Sequence, residues 1–260
     1  MKKMFTLISV FAALSPLAFA DTNPTDPTTT ALTVPAEKPK ETTAEVDHYP
    51  WTKNISGNAA FVTNYVFRGV SQSHNLPAAQ AGLTYTFPIG LYLSLWGSSV
   101  RFTDSTAFVE IDTVIGYHNT IGEDFAYDLS VARYNYPGEK IFNYNEFIAL
   151  LSYFIVQASF GYSADVFATH QTGIYTSLGI NYDIPERYFF NLSNVNLLAT
   201  MGHYSLPRAA GNSYNDYSIQ LAKTFNMYKF SVQWTNTDGR QHIAPYNSAQ
   251  IIGQIAANFA

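Results

Sequence analysis

From Ile55 onward apolar and polar residues alternate with a period of two, the period of a strand and not of a helix. Over 79–87, Ala79, Ala81, Leu83, Tyr85 and Phe87 share one face, while Gln80, Gly82, Thr84 and Thr86 share the other. Over 107–117, Ala107, Val109, Ile111, Thr113, Ile115 and Tyr117 oppose Glu110 and Asp112. Over 125–131, Phe125, Tyr127, Leu129 and Val131 oppose Asp128 and Ser130. Further on, Tyr228, Phe230, Val232 and Trp234 oppose Lys229, Ser231, Gln233 and Thr235. The last segment sets Ala249, Ile251, Ile255 and Phe259 against Gln250, Gln254 and Asn258. The first, 59–68, puts Phe61, Thr63, Tyr65 and Phe67 on the apolar face, with Asn64 and Arg68 on the polar one.

Which face lies inside decides the fold. The outer face of a soluble sandwich carries roughly a quarter or more Lys, Arg, Glu and Asp. Here the polar face is mostly Asn, Gln, Ser, Thr and Gly, and aromatics cluster near strand ends as membrane girdles do. The pattern predicts an inverted sheet, apolar toward lipid and polar toward its own centre. In hydrocarbon every backbone group must be paired, so the sheet must close. The expected fold is all-β: a transmembrane antiparallel β-barrel of about 12 strands. The segments fall near 57–69, 77–87, 90–100, 106–118, 123–135, 142–152, 154–164, 171–182, 192–204, 213–225, 227–236 and 247–259. Ten or fourteen strands stay open, because 142–164 and 189–204 alternate poorly. Short connections such as 88–90 and 226–227 alternate with longer ones at 70–76, 135–141, 204–211 and 238–246, the exception being a long one at 183–190. With both termini periplasmic, the long set faces outward. Phe259 is penultimate, near the place where barrels commonly end on an aromatic residue.

The N-terminus follows other rules. Lys2 and Lys3 precede an apolar stretch, Phe5 to Leu17, and Ala18-Phe19-Ala20 is a small-x-small cleavage site, so 1–20 reads as a signal peptide. Residues 21–54 are rich in Thr, Pro, Ala, Glu and Lys, and read as a disordered periplasmic segment. The barrel takes 55–260. Of the chain 47% is hydrophobic and 16% aromatic, and only 13% is charged against about a quarter in soluble domains. No helix-length apolar run follows the N-terminus, which excludes a helical membrane protein. The absence of Cys excludes disulfides and thiolate sites, and a net charge of -5 argues against a nucleic-acid partner.

Ser56-Gly57-Asn58, Tyr65-Val66-Phe67-Arg68-Gly69-Val70-Ser71-Gln72-Ser73 and Pro77-Ala78-Ala79-Gln80-Ala81-Gly82 resemble the opening of TorF-type porins. That family is also known as Gcw_chp, a conserved hypothetical group. The likeness continues through Gly90-Leu91-Tyr92, Trp96-Gly97-Ser98-Ser99-Val100, Glu110-Ile111-Asp112, Gly116-Tyr117, Tyr134-Asn135-Tyr136-Pro137-Gly138 and Asn143-Tyr144-Asn145-Glu146. It fades through Tyr162-Ser163-Ala164-Asp165, Gly202-His203-Tyr204 and Thr237-Asp238. The resemblance implies an outer-membrane barrel and a channel, and supplies no solute.

The candidate pore-lining residues are those on the polar parity: Arg68, Glu110, Asp112, Asp128, Glu146, Asn64, Gln80, Lys229 and Gln233. A cation among lumen acids sets the field in a narrow pore and biases ion choice. The same charges could instead form a salt-bridge network bracing the wall. Bulky Tyr92, Trp96 and Tyr144 on this parity would narrow the bore. Acids outnumber bases in the barrel by 13 to 9, a hint toward cations. No Gly-x-Ser-x-Gly motif occurs, and Thr172 stands where the nucleophile of an outer-membrane phospholipase would follow His170. His48, His74, His118, His203 and His242 show no short metal-ligand spacing. The chain therefore reads as a non-enzymatic outer-membrane porin of a Gram-negative bacterium, a passive channel for small hydrophilic solutes or ions. The alternatives are a closed structural or adhesin-like barrel and an outer-membrane lipid hydrolase. No cofactor or metal is expected; the expected partners are outer-membrane lipid and lipopolysaccharide, the barrel-assembly machinery and small solutes.

Overall fold

A computed structural model describes residues 54–238 and 246–259. The expected signal peptide, nearly all of the 21–54 segment, His48 and His242 lie outside the described residues. Fourteen strands follow in chain order: β1 (Ile55–Val62), β2 (Val66–Phe67), β3 (Val70–Ser71), β4 (Ala78–Thr86), β5 (Leu91–Ser99), β6 (Val109–Ile121), β7 (Phe125–Asn135), β8 (Tyr144–Tyr153), β9 (Val156–Ser163), β10 (Gly173–Ile184), β11 (Val195–Ser205), β12 (Tyr214–Phe225), β13 (Tyr228–Thr237) and β14 (Gln250–Phe259). All but β2 and β3 form one closed antiparallel barrel of twelve strands, each paired with its neighbour in sequence. The seam joins β1 to β14, with Ala59 opposite Ala257 and Phe61 opposite Ile255. No described helix is long and apolar enough to cross a membrane.

The inverted patterning holds around the wall. Leu83, Leu95, Ile115 and Val232 point outward and are 49%, 51%, 50% and 58% exposed, whereas Thr84, Ser94, Val114 and Ser231 beside them in sequence are buried. An apolar belt exposed at this density is stable only against acyl chains. Tyr85 and Phe87, Tyr117 and Tyr127, and Tyr153 and Phe154 pair edge-on or tilted near one end of the barrel, with ring centroids 4.8, 6.1 and 4.5 Å apart. This is the end of the short turns, where Phe154-Ile155 and Asn226-Met227 each link two strands. The long connection expected on that side at 183–190 runs over 185–194 and carries exposed Tyr188 and Phe190.

Two expectations are corrected. The first strand stops at Val62 instead of running to 69, because the chain turns inward at Thr63. Thr63 stays at the exposed outer edge, but Tyr65 and Phe67 are buried inside the barrel and not turned to lipid. Likewise Ala107 precedes β6 and is buried, while its neighbour Phe108 is 70% exposed.

Candidate functional site

The connection between β1 and β4 builds the centre of the barrel. Phe67-Arg68-Gly69-Val70 is a two-residue hairpin between β2 and β3, with φ of 47° at Arg68 and 80° at Gly69. Positive φ at both central residues is what a tight right-twisted hairpin needs, and glycine supplies it without cost at the second. A side chain at Gly69 would also collide with Thr237 and meet Asp216 at 3.0 Å, so the tip lies against β12 and β13. The hairpin is held from behind by Asn64, whose amide oxygen accepts from the hydroxyls of Ser71 (2.6 Å) and Ser73 (2.9 Å) and whose nitrogen donates to Asn75 and Gln250. The Arg101 backbone N–H donates to the Gln72 carbonyl at 2.8 Å, and that of Ser71 to the Tyr246 carbonyl at 2.8 Å. His74 and Tyr246 hydrogen-bond side chain to side chain. The segment is thus tied to two outer loops and to the seam.

At its tip Arg68 donates through both terminal nitrogens to the two oxygens of Glu146 on β8, each at 2.9 Å, and both side chains are 0% exposed. The guanidinium lies 4.6, 4.1 and 4.5 Å from the ring centroids of Phe67, Tyr175 and Tyr204. Tyr134 on β7 donates to Glu146 at 3.0 Å, and Tyr175 on β10 donates to Asp216 on β12 at 3.2 Å. Gly161 on β9 makes the approach possible: a Cβ there would sit 2.8 Å from Glu146 Oε1 and 3.0 Å from Arg68 Nη2. Five strands and the hairpin therefore converge on one ion pair, in a layer at the long-loop end.

The interior is divided. Along β4–β8 the inner face is packed shut: Tyr92, Trp96, Tyr134 and Tyr144 are no more than 4% exposed, and Val114, Ile148 and Leu150 fill the space between them. Tyr65 stacks edge-on against Trp96 at 5.5 Å and Tyr134 stacks on Tyr144 at 4.4 Å. Along β9–β14 the inner face is mainly hydroxyl and carboxamide, with Leu198, Ala222, Ile252 and Ala256 buried among these groups, and Ser159, Ser177, Thr200, Ser218, Gln233 and Gln254 are only half-buried. These groups satisfy one another across strands: Ser159 with Ser177 at 2.5 Å, Thr200 with Ser218 at 2.8 Å, Gln220 with Gln233 at 3.3 Å and Ser231 with Gln254 at 3.2 Å. Water reaches this wall, while the layer toward the long loops (Tyr175, Tyr204, Tyr214, Arg68) is buried.

The nine sequence candidates all lie inside the barrel, in different settings. Arg68 and Glu146 are brought together. Glu110 and Asp112 are buried neighbours on the inner face of β6, Glu110 accepting from the Tyr136 hydroxyl at 2.7 Å. Asp128 accepts from Tyr92 at 3.0 Å. Asn64 and Gln80 are buried, Gln80 donating to Ser98 at 3.3 Å, whereas Lys229 and Gln233 are half-buried on the water-reached arc. Sequence reasoning missed Tyr134, Tyr175, Tyr204 and Asp216, whose shared inward parity on neighbouring strands is a usable signal once register is known. His170 is an exposed loop-edge residue 3.4 Å from Asp165. Among the described residues no group of three or more acidic or histidine side chains is placed to hold a metal.

The fold has solved counterparts. A structure described as KdgM porin superposes with a TM-score of 0.52 at 9% identity, covering 79% of this chain and 98% of that one. A membrane-protein structure from work on the mechanism of in-meso crystallization gives 0.50 at 6% identity, covering 78% and 83%. OprD from Pseudomonas aeruginosa superposes with a TM-score of 0.37 at 8% identity, covering 80% of this chain and 66% of that one. No curated protein matches the chain. A closed twelve-stranded barrel with an apolar outer belt and a porin-like fold belongs in the outer membrane of a Gram-negative bacterium. A family model matches residues 48–259, and the chain belongs to that family, Gcw_chp, described as bacterial protein of unknown function.

Proposed function

We propose that the protein is a passive channel of narrow bore for small hydrophilic solutes, and not an enzyme. The observation that carries this is the half-buried wall of hydroxyls and carboxamides inside β9–β14. A barrel with a purely mechanical role gains nothing from a water-reached interior, since packed side chains would stabilise it more. In this reading the hairpin and the Arg68–Glu146 pair form the constriction at the long-loop end, and Glu110, Asp112 and Asp128 brace the filled side. Lys229 and Gln233 line the passage with the hydroxyl groups. Membership of the TorF-type porins, a cleaved signal peptide at 1–20, a periplasmic tether at 21–54, delivery by the barrel-assembly machinery and contact with lipopolysaccharide complete the proposal. A KdgM porin has also been solved in complex with disordered oligogalacturonate; that ligand is a property of that protein.

One observation favours a second reading, a closed structural barrel: the layer at the long-loop end is buried throughout, from Tyr65 to Tyr214. Purified protein in planar bilayers and in liposomes of graded solute content separates the two. Unitary currents and swelling support the channel; their complete absence for every solute and salt supports the closed barrel.

A further inference from the structure

Resting on the channel reading, we propose that the passage takes small uncharged solutes rich in hydroxyl or amide groups and discriminates little between cations and anions. The acid excess of the barrel does not reach the path. Glu146 is neutralised by Arg68 with both side chains fully buried. Glu110, Asp128 and Asp216 are 2%, 6% and 4% exposed, and each accepts a tyrosine hydroxyl. Asp112 is 3% exposed beside Glu110 on the filled side. Between the charged pair at the short-turn end and the buried layer, the groups facing water along β9–β14 include Ser159, Ser177, Thr200, Ser218, Gln233 and Gln254, every one able both to donate and to accept.

At the short-turn end two opposite charges face the interior, each on the second residue from its strand end. Lys229 stands at the start of β13 and Asp183 near the finish of β10. The Asp183 carboxylate acts on Lys229 electrostatically and also accepts from Asn196 at 2.9 Å. These two inward-parity charges offset one another at that end. Beyond that pair, an ion moving along this wall must give up hydration water to neutral dipoles, which raises its barrier. A hydroxyl or amide group exchanges hydrogen bonds with water for equivalent ones with the wall, at little net cost. Size is limited because one arc of the lumen is already filled by Tyr92, Trp96 and Tyr144.

The test uses the mature protein in proteoliposomes and planar bilayers. Swelling with glycerol, ribose and glucose is compared with that in potassium glutamate and lysine hydrochloride, and reversal potential is read across a potassium chloride gradient. The sugars and glycerol are expected to enter faster than the charged amino acids, with a reversal potential near zero. Ser177→Asp, and Thr200→Asp as an independent second position, are expected to shift permeability toward potassium by roughly fivefold, the effect of one unit charge met at about 4 Å in a hydrated pore. Ion preference of comparable size in the wild type, or amino acids entering as fast as sugars, overturns the inference while leaving a channel. Unmoved reversal potentials in both folded variants also overturn it, since the path then avoids this wall. A wild type that passes nothing sinks the channel reading itself.

Discussion

Replacing Glu146 by Gln removes the counter-charge of Arg68 and little else. Both side chains are fully buried, and the amide can still accept one bond from Arg68 or from Tyr134. Removing one partner of a buried pair costs about 3–5 kcal/mol, because the remaining ion cannot recover its hydration. The three rings around the guanidinium, at 4.1 to 4.6 Å, each contribute roughly 0.5–2 kcal/mol to a desolvated cation and soften the loss. The expected destabilisation is therefore near the lower bound, about 3 kcal/mol. Urea unfolding in lipid vesicles, followed by tryptophan fluorescence, measures it. The companion variant, Arg68→Met with Glu146→Met, fills the same space with apolar volume among Phe67, Tyr175 and Tyr204. It is expected to lie within about 1 kcal/mol of wild type or above it. A Glu146→Gln loss below about 1 kcal/mol would show that water reaches the pair, as would a double variant as weak as the two single changes summed. The packed layer described above would then be wrong.

Arg68→Ala takes the tip off the hairpin and is expected to raise single-channel conductance or shift ion preference in planar bilayers; unchanged currents with a lowered melting temperature would assign Arg68 to bracing alone. Ile115→Arg puts a charge on the lipid side near the middle of β6 and should cost about 2–4 kcal/mol in a refolding titration, whereas a protein indifferent to it would not be inverted. Asp238, just past β13, accepts from the backbone N–H and the side chain of Asn215, at 2.7 and 2.6 Å, which hold its carboxyl below the ordinary range. A lowered folded pKa gives stability that is present above the unfolded value, near 3.9, and lost as pH falls through the folded one. Asp238→Asn should therefore lower stability slightly at neutral pH and flatten its fall below about pH 4, measured by unfolding at stepped pH, with the two proteins converging at the acid end.

Much of the wall was legible because lipid leaves only one solution for a chain with period-two patterning. Tyr228 to Thr235 is the plainest case: every residue took the face its polarity demanded. The two regions that alternated poorly are now explained. Ile148 and Leu150 on β8 and Leu198 on β11 are apolar residues of the inner face, so both sides of those strands carry hydrophobic side chains. Weak alternation there reported apolar residues on the inner face, packed shut on β8 and a single buried leucine on β11, and not a missing strand. The hairpin was invisible for a different reason. Tyr65 and Phe67 continue the alternation of β1, and nothing local separates a strand that continues outward from one that folds back among aromatics. The pairing of Arg68 with Glu146, 78 positions away, decides the matter, and such a distant partner leaves no local trace. The hint toward cations carries little weight in our proposal, since a count of acids cannot tell which of them are already hydrogen-bonded to tyrosine.

The partners of residues 63–71 are scattered around the whole circumference and along the whole chain: Glu146, Tyr175, Tyr204 and Asp216, then Gln250 and Gly253 on the strand that closes the seam. The hairpin accordingly has no complete seat until β14 has docked, because loop closures this long come late. Its insertion is therefore expected to follow closure of the seam, so a barrel caught before that moment would lack its central packed layer.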